Sequence, residues 1–236
     1  MKNLRIAILA GLISLSISAQ YVNQKDNTGC EELLKAIMEE DISNIKKLLK
    51  TVDANCTYAI HAKKTSVTDG GYSFLAEGPR TPLVGAARTG NLAIGKLLIA
   101  AKAEVKFHAT NDETPLMAAA KNGHLDFVAY LVEKGAEVNK KLAGDGTALL
   151  VASREGHKNI VQYLISKEAE INALVSGDGT PLIQSVKHGH YEIAKLLLEN
   201  SADPNLESPG DEYPMYHALE TNNKNMIALL KKYSTK

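Results

Sequence analysis

The chain has no tryptophan, only 5% aromatic residues and just two cysteines among its 236 residues. Its 27 basic and 27 acidic side chains cancel, so no strong electrostatic field steers it towards nucleic acid, and we expect no nucleic-acid partner. Beyond the N-terminus it lacks an apolar run of about 20 residues, the length that a membrane-spanning helix needs. We therefore expect no membrane span in the mature chain.

Catalytic motifs are also missing. The sequence contains no complete phosphate loop (Gly-x-x-x-x-Gly-Lys followed by Ser or Thr), no Cys-x-x-Cys pair, no His-Glu-x-x-His helix and no Gly-x-Ser-x-Gly elbow. The turns at residues 144–146 and 177–179 lack the spaced carboxylates of a calcium loop. We therefore expect a non-enzyme with no catalytic residues, no metal and no cofactor.

The N-terminus has the order of a signal peptide. Lys2 and Arg5 precede an apolar run from Ile6 to Ile17, which ends in the small residues Ser18 and Ala19. We predict cleavage after residues 1–19 and export to a periplasm or to the exterior; a retained membrane anchor is the alternative. Residues 20–29 are polar, and we expect them to be flexible.

One pattern recurs every 33 residues through the rest of the chain. Its first position is occupied by Thr81, Thr114, Thr147, Thr180 and Tyr213, and a glycine follows nine residues later in four of the five copies. Each copy predicts two short helices. In the second copy Thr114 is an N-cap, Pro115 suits the first helical turn, and Gly123 ends the helix in a left-handed conformation. A second helix is expected from Leu125 to Lys134.

Such self-similarity is typical of a solenoid, in which each unit buries its apolar face against its neighbours. Two columns of large apolar residues and one of small residues keep the period and predict the core. They are Leu83, Leu116, Leu149, Leu182 and Met215; Ile94, Phe127, Ile160, Ile193 and Met226; and Ala86, Ala119, Ala152, Ser185 and Ala218.

The motifs resemble those of ankyrin repeats: Thr-Pro-Leu at the start of a unit, Gly-His at residues 123–124, 156–157 and 189–190, and Gly-Ala-Glu-Val-Asn at residues 135–139. The resemblance covers residues 30–236 and implies an all-α solenoid of about six helix-turn-helix units with hairpin fingers. It also implies a concave surface that binds other macromolecules. The sequence departs from the family where Val84, Met117, Leu150, Ile183 and Tyr216 replace its usual histidine.

Another departure concerns the turn after the second helix. Lys102, Glu168 and Ser201 stand where Gly135 stands in its own unit. A left-handed backbone at these residues costs about 1 to 2 kcal/mol each.

The ends and one interruption complete the predicted domain. Residues 30–55 form an N-terminal capping unit, residues 80–208 the central repeats, and residues 209–236 a C-terminal cap with polar residues facing water. Residues 56–79 are an insertion whose apolar residues alternate around a glycine-rich turn, which suggests an enlarged hairpin finger. Tyr58, Tyr72 and Phe74 in it are candidate partner contacts, and a floppy insertion or a lid on the next repeat is an equal alternative.

Cys30 and Cys56 lie before and after the first helix pair. In an exported protein an even cysteine count indicates a disulfide, and this one would close the N-terminal cap. Two free thiols are the alternative.

Basic residues recur near the end of the first helix in four successive units, at Arg88, Lys121, Arg154 and Lys187. They are candidates for a stripe that binds an acidic protein surface, although a merely solvated face is the alternative. We expect a monomeric chain that binds an unidentified protein partner. The alternative function is an accessory or small-molecule-binding protein that uses residues 56–79 as a lid.

Overall fold

The computed structural model describes residues 28–58, 81–109, 113–142, 146–208 and 213–234. Twelve α-helices and no β-strand occur in these residues, so the all-α prediction is confirmed. They form six helix pairs. The first helices of the pairs are α1 (residues 28–38), α3 (Pro82–Thr89), α5 (Pro115–Lys121), α7 (Ala148–Glu155), α9 (Pro181–Lys187) and α11 (Pro214–Glu220). The second helices are α2 (Ile42–Leu48), α4 (Leu92–Ala100), α6 (Leu125–Glu133), α8 (Lys158–Ser166), α10 (Tyr191–Glu199) and α12 (Lys224–Ser234).

The first helices begin as the repeat pattern predicts. The Thr114 hydroxyl accepts a hydrogen bond of 3.1 Å from the Met117 N–H, and Thr147 and Thr180 make the same bond in their units. Pro115 and Pro181 follow two of these caps in the first helical turn, where no N–H is required. Thr81 differs because its buried hydroxyl has no hydrogen-bond partner among the described residues.

The turn that ends each first helix is left-handed. Gly90, Gly123, Gly156 and Gly189 have φ between 76° and 85°, and Asn222 closes the series at 50°. The backbone after the second helices is left-handed as well. Gly135 has a φ of 90°, and the three non-glycine residues at its position adopt 74°, 61° and 71° at Lys102, Glu168 and Ser201. These three residues therefore share the left-handed backbone of Gly135.

Neighbouring units pack helix against equivalent helix. Each first helix from α3 to α9 contacts the next first helix, and each second helix from α4 to α10 contacts the next second helix. The two predicted columns of large residues are buried, apart from half-buried Met215 at the end of the array. The small column is fully buried, as expected where helices approach to about 8 to 10 Å.

Two of the fingers between units show antiparallel pairing in the described residues. A single antiparallel bridge joins Leu142 to Gly146, and another joins Val175 to Gly179. Each of these two fingers is therefore paired through a single bridge where the structure describes it.

Several predictions fall on residues outside the described part of the chain. These are the signal peptide at 1–19, most of the flexible segment at 20–29, and the insertion from residue 59 onward. Residues 28 and 29 of the predicted flexible segment are helical, since they belong to α1. None of the described helices is long and apolar enough to cross a membrane.

Candidate functional site

The four basic residues of the predicted stripe lie at the last turns of adjacent first helices, α3, α5, α7 and α9. Lys121 and Lys187 are exposed, whereas Arg88 and Arg154 are half-buried. The stripe is thus a row along the stack, with its two lysines in contact with solvent.

Carboxylates of the protein itself hold the two arginines. The Arg88 Nε donates to Glu113 Oε1 at 2.6 Å, and Glu113 is 5% exposed. Arg154 lies 3.2 Å from Glu155 and 3.6 Å from Asp178, which sits in the finger between this unit and the next. These ion pairs join first helices to fingers, so part of the positive charge of the stripe is neutralised internally. Lys121 makes no such pair with any described residue.

The repeated histidines after the glycine turns are structural. The ring Nε2 of His124 donates to the carbonyl of Arg88 at 3.0 Å, one unit back. His157 and His190 make the same bond, at 2.9 Å, to the carbonyls of Lys121 and Arg154. Each histidine therefore satisfies a carbonyl at the end of the preceding first helix, where no intrahelical partner exists. Nowhere in the described residues do three His, Cys, Asp or Glu side chains gather as metal ligands would.

One near-match to a phosphate loop is explained by the fold. Residues 90–96 carry Gly-x-x-x-x-Gly-Lys, but Leu97 stands where Ser or Thr is required. Gly90 is the turn after α3, and Gly95 lies inside α4 against the ring of Phe127. The segment is a turn followed by a helix and not a phosphate-binding loop.

The cysteine prediction is confirmed. Cys30 and Cys56 form a disulfide with their Cα atoms 5.8 Å apart, which links α1 to the loop that follows α2. Tyr58 follows this loop and is half-buried. Burial raises the pKa of its hydroxyl, and the nearby Glu31 carboxylate adds to the rise through its charge and a hydrogen bond. Tyr72 and Phe74 lie outside the described residues.

Asparagines join the bases of consecutive fingers, a feature that the sequence analysis missed. The Asn139 amide donates to the Glu168 carbonyl at 3.1 Å, and the Glu170 N–H donates to Asn139 Oδ1 at 2.8 Å. We call this pair of bonds the asparagine clamp. It recurs at Asn172 with Ser201 and Asp203, and at Asn55 with Lys102 and Glu104.

The clamp is missing at one junction. Lys106 occupies the position 33 residues before Asn139, and its ammonium extends to Glu137 Oε1 at 3.0 Å. A cavity of about 260 Å³ opens here, lined by Val105, Lys106, Thr114, Leu116, Ala136, Glu137 and Lys140. We call it the finger-base cavity. The only signal of it in the sequence is a lysine where four other units have asparagine.

The two helices of the last unit expose different kinds of side chain. The second helix α12 does expose Lys224 and Lys232, in line with a solvent-facing cap. On the first helix α11, however, Tyr216 is 43% and Leu219 is 56% exposed. The polar cap was predicted from residues of the second helix, and the exposure of α11 was not predicted. It arises because positions that the next unit covers elsewhere, such as Ile183, have no following unit in the described residues.

The sequence model for ankyrin repeats, which describes three copies of the repeat, matches residues 33–142 and 140–208. A search of curated proteins found no match.

Proposed function

The chain belongs to the ankyrin repeat family, and on that premise we propose that it is a monomeric, non-catalytic protein-binding module that acts outside the cytoplasm. Members of this family are generally modules for protein–protein interaction. The observation that carries the proposal is the unbroken row of first helices, whose last turns and finger turns place polar and charged side chains along one continuous scaffold.

The partner surface that fits this row is acidic. Lys121 is exposed near the middle of the stack, and Lys187 is exposed two units further on. The Arg154 guanidinium is held by Asp178 and Glu155 and is only half-buried, so a partner carboxylate can join the same network. Binding through finger tips and the first-helix face is thus supported by the placement of these charges.

Two features support action outside the cytoplasm. The disulfide between Cys30 and Cys56 is a bond that oxidising compartments maintain and the cytoplasm rarely does. The sequence order of residues 1–19 is that of an export signal. We propose the periplasm or the exterior as the location.

Site-directed photocrosslinking tests the proposal. A photoreactive residue at Lys121 in the tagged chain, irradiated in the native compartment, should capture a discrete protein. The same probe at Lys195, on the second helix α10 and about half exposed, is the matched control and should not capture it. Capture at both positions, or at neither, would contradict binding through the first-helix face. Nucleic acid in the crosslinked band would contradict the proposed class of partner.

The salt dependence of binding to the captured protein tests whether the partner surface is acidic. Since Lys121 is exposed, Lys121→Glu should slow association with an acidic surface, and added salt should weaken the wild-type interaction. Lys195→Glu is the control for net charge and should leave the association rate unchanged. An association rate that is insensitive to salt would exclude the basic stripe from recognition.

A further inference from the structure

At the finger-base cavity, two backbone groups lack the asparagine that binds the corresponding groups at other junctions between units. The N–H of Glu137 and the carbonyl of Gly135 correspond to the Glu170 N–H and Glu168 carbonyl, which Asn139 clamps one unit later. In the described part of the chain, neither group of the Glu137 and Gly135 pair makes a hydrogen bond to protein. One donor and one acceptor are therefore left at the two positions that a carboxamide bridges in the next unit.

The surroundings of this pair favour a polar ligand with negative charge beside it. Lys106 and Lys140 line the cavity with a single carboxylate, Glu137, between them. Lys106 holds the pKa of Glu137 below its usual value, first through a hydrogen bond and then through its charge. Glu137 therefore stays ionised and pairs directly with Lys106, whereas Lys140 acts on it through charge alone. The ammonium of Lys140 can thus also contact a ligand. Val105 and Ala136 supply apolar contact.

We propose that the finger-base cavity binds an asparagine side chain presented by an acidic segment of the partner protein. The carboxamide oxygen accepts from the Glu137 N–H and its NH₂ group donates to the Gly135 carbonyl, as Asn139 does within the chain. An acidic neighbour of this asparagine meets Lys140. This inference rests on the proposed protein-binding function and specifies the chemistry of the partner.

Short peptides test the ligand chemistry without the partner. The probe is the blocked pentapeptide Glu-Gly-Asn-Gly-Glu, and its controls carry Ala or Asp in place of Asn. Titrated into the ¹⁵N-labelled protein, the Asn peptide should shift the Glu137 amide resonance and bind roughly fivefold more tightly than the Ala peptide, as expected for two added hydrogen bonds to solvated groups. Equal binding of the Asn and Ala peptides would overturn the proposal. Tighter binding of the Asp peptide would overturn it as well, because the cavity would then be a carboxylate site.

The variant Lys106→Asn tests the same idea from within the chain. It places an asparagine where Asn139 and Asn172 stand in their units. The new side chain should itself bond the Gly135 carbonyl and the Glu137 N–H. We expect the Asn peptide no longer to shift Glu137, and the melting temperature to rise by about 2 to 4 °C. Lys106→Ala removes the same charge without supplying a carboxamide, and it should keep the preference for Asn over Ala. If Lys106→Asn binds the Asn peptide as well as wild type does, the inference fails.

Failure here is distinguishable from failure of the proposed function. Loss of the peptide preference while Lys121 still captures a protein would remove the asparagine site alone. If no protein is captured but the preference for the Asn peptide remains, the proposed protein-binding function is contradicted and the carboxamide site is still supported.

Discussion

At the scale of single residues, the left-handed turn positions decide which side chains the repeat tolerates. Glu168 has a φ of 61° where Gly135 has 90° in its own unit. An L-residue in this conformation costs about 1 to 2 kcal/mol, and glycine avoids most of that cost while losing some unfolded-state entropy.

Glu168→Gly should therefore raise the free energy of unfolding by up to about 1 kcal/mol, measured by thermal and urea denaturation. Glu170→Gly is the matched control. Glu170 is exposed, is not among the positive-φ residues, and donates its N–H to Asn139, which the substitution preserves. An unchanged or lower melting temperature for Glu168→Gly would contradict the strain at this turn.

Glycine at the end of a first helix is also favoured for a steric reason, because a histidine ring of the next unit lies close to it. A Cβ on Gly123 would approach the ring of His157 to 2.8 Å, while a Cβ on Gly189 meets nothing within 4 Å. The two glycines have nearly equal φ, 81° and 76°. The next unit after Gly189 carries Asn223 in place of histidine, which accounts for the open space.

Gly123→Ala should thus destabilise the protein more than Gly189→Ala does. Both variants place an alanine in a left-handed backbone conformation, which is unfavourable. Only Gly123→Ala must also displace the His157 ring and break the hydrogen bond from that ring to the Lys121 carbonyl, at an added cost of about 1 kcal/mol. Urea denaturation of both variants measures the difference. A double-mutant cycle with His157→Asn should be non-additive because the ring is then absent. Equal costs for the two alanine variants would show that the ring moves freely.

At the scale of elements, the sequence predicted the helices well because each boundary has a local chemical cause. Thr114 and Pro115 begin α5 in the sequence and in the structure, and Gly123 ends the turn after it. The finger-base cavity was not predictable, because it depends on which backbone groups of the next unit face Lys106. The exposed Tyr216 and Leu219 were missed for the same reason, since their burial depends on a neighbouring unit.

The first helix pair depends on a covalent link that the other pairs lack. The disulfide links α1 to the loop after α2. Asn55, next to Cys56, forms hydrogen bonds with the backbone of Lys102 and Glu104 in the next unit. Since the bridge spans 26 residues of sequence, the loop-closure estimate of its contribution is about 3 kcal/mol.

Replacing both cysteines by alanine should loosen the N-terminal unit selectively. Amide hydrogen exchange should accelerate in residues 28–58 and remain unchanged in residues 146–208, because terminal units of a linear array open without the centre. Unfolded, unreduced wild-type protein should show no thiol reactivity with a thiol reagent. Two reactive thiols, or uniform acceleration of exchange along the chain, would contradict this account.

At the scale of the whole molecule, stability is a sum over neighbouring units, so the cost of a core truncation should depend on its place in the array. Leu149 and Met215 occupy the same column of the repeat. Leu149 is 1% exposed between two neighbouring units, whereas Met215 is half-buried in the last one. Core packing should therefore contribute more to stability at the centre of the array than in its last unit.

Leu149→Ala should lower the free energy of unfolding by about 2 to 5 kcal/mol, the cost of removing a large side chain from a fully packed core. Met215→Ala should cost clearly less, since part of its side chain already contacts water. Urea denaturation followed by circular dichroism measures both losses. Because loss of Leu149 weakens the junctions on either side of α7, its variant should also show a shallower transition, as the two halves of the array unfold separately. Equal losses for both variants would mean that the helices share one indivisible core, which a row of nearest-neighbour contacts does not produce.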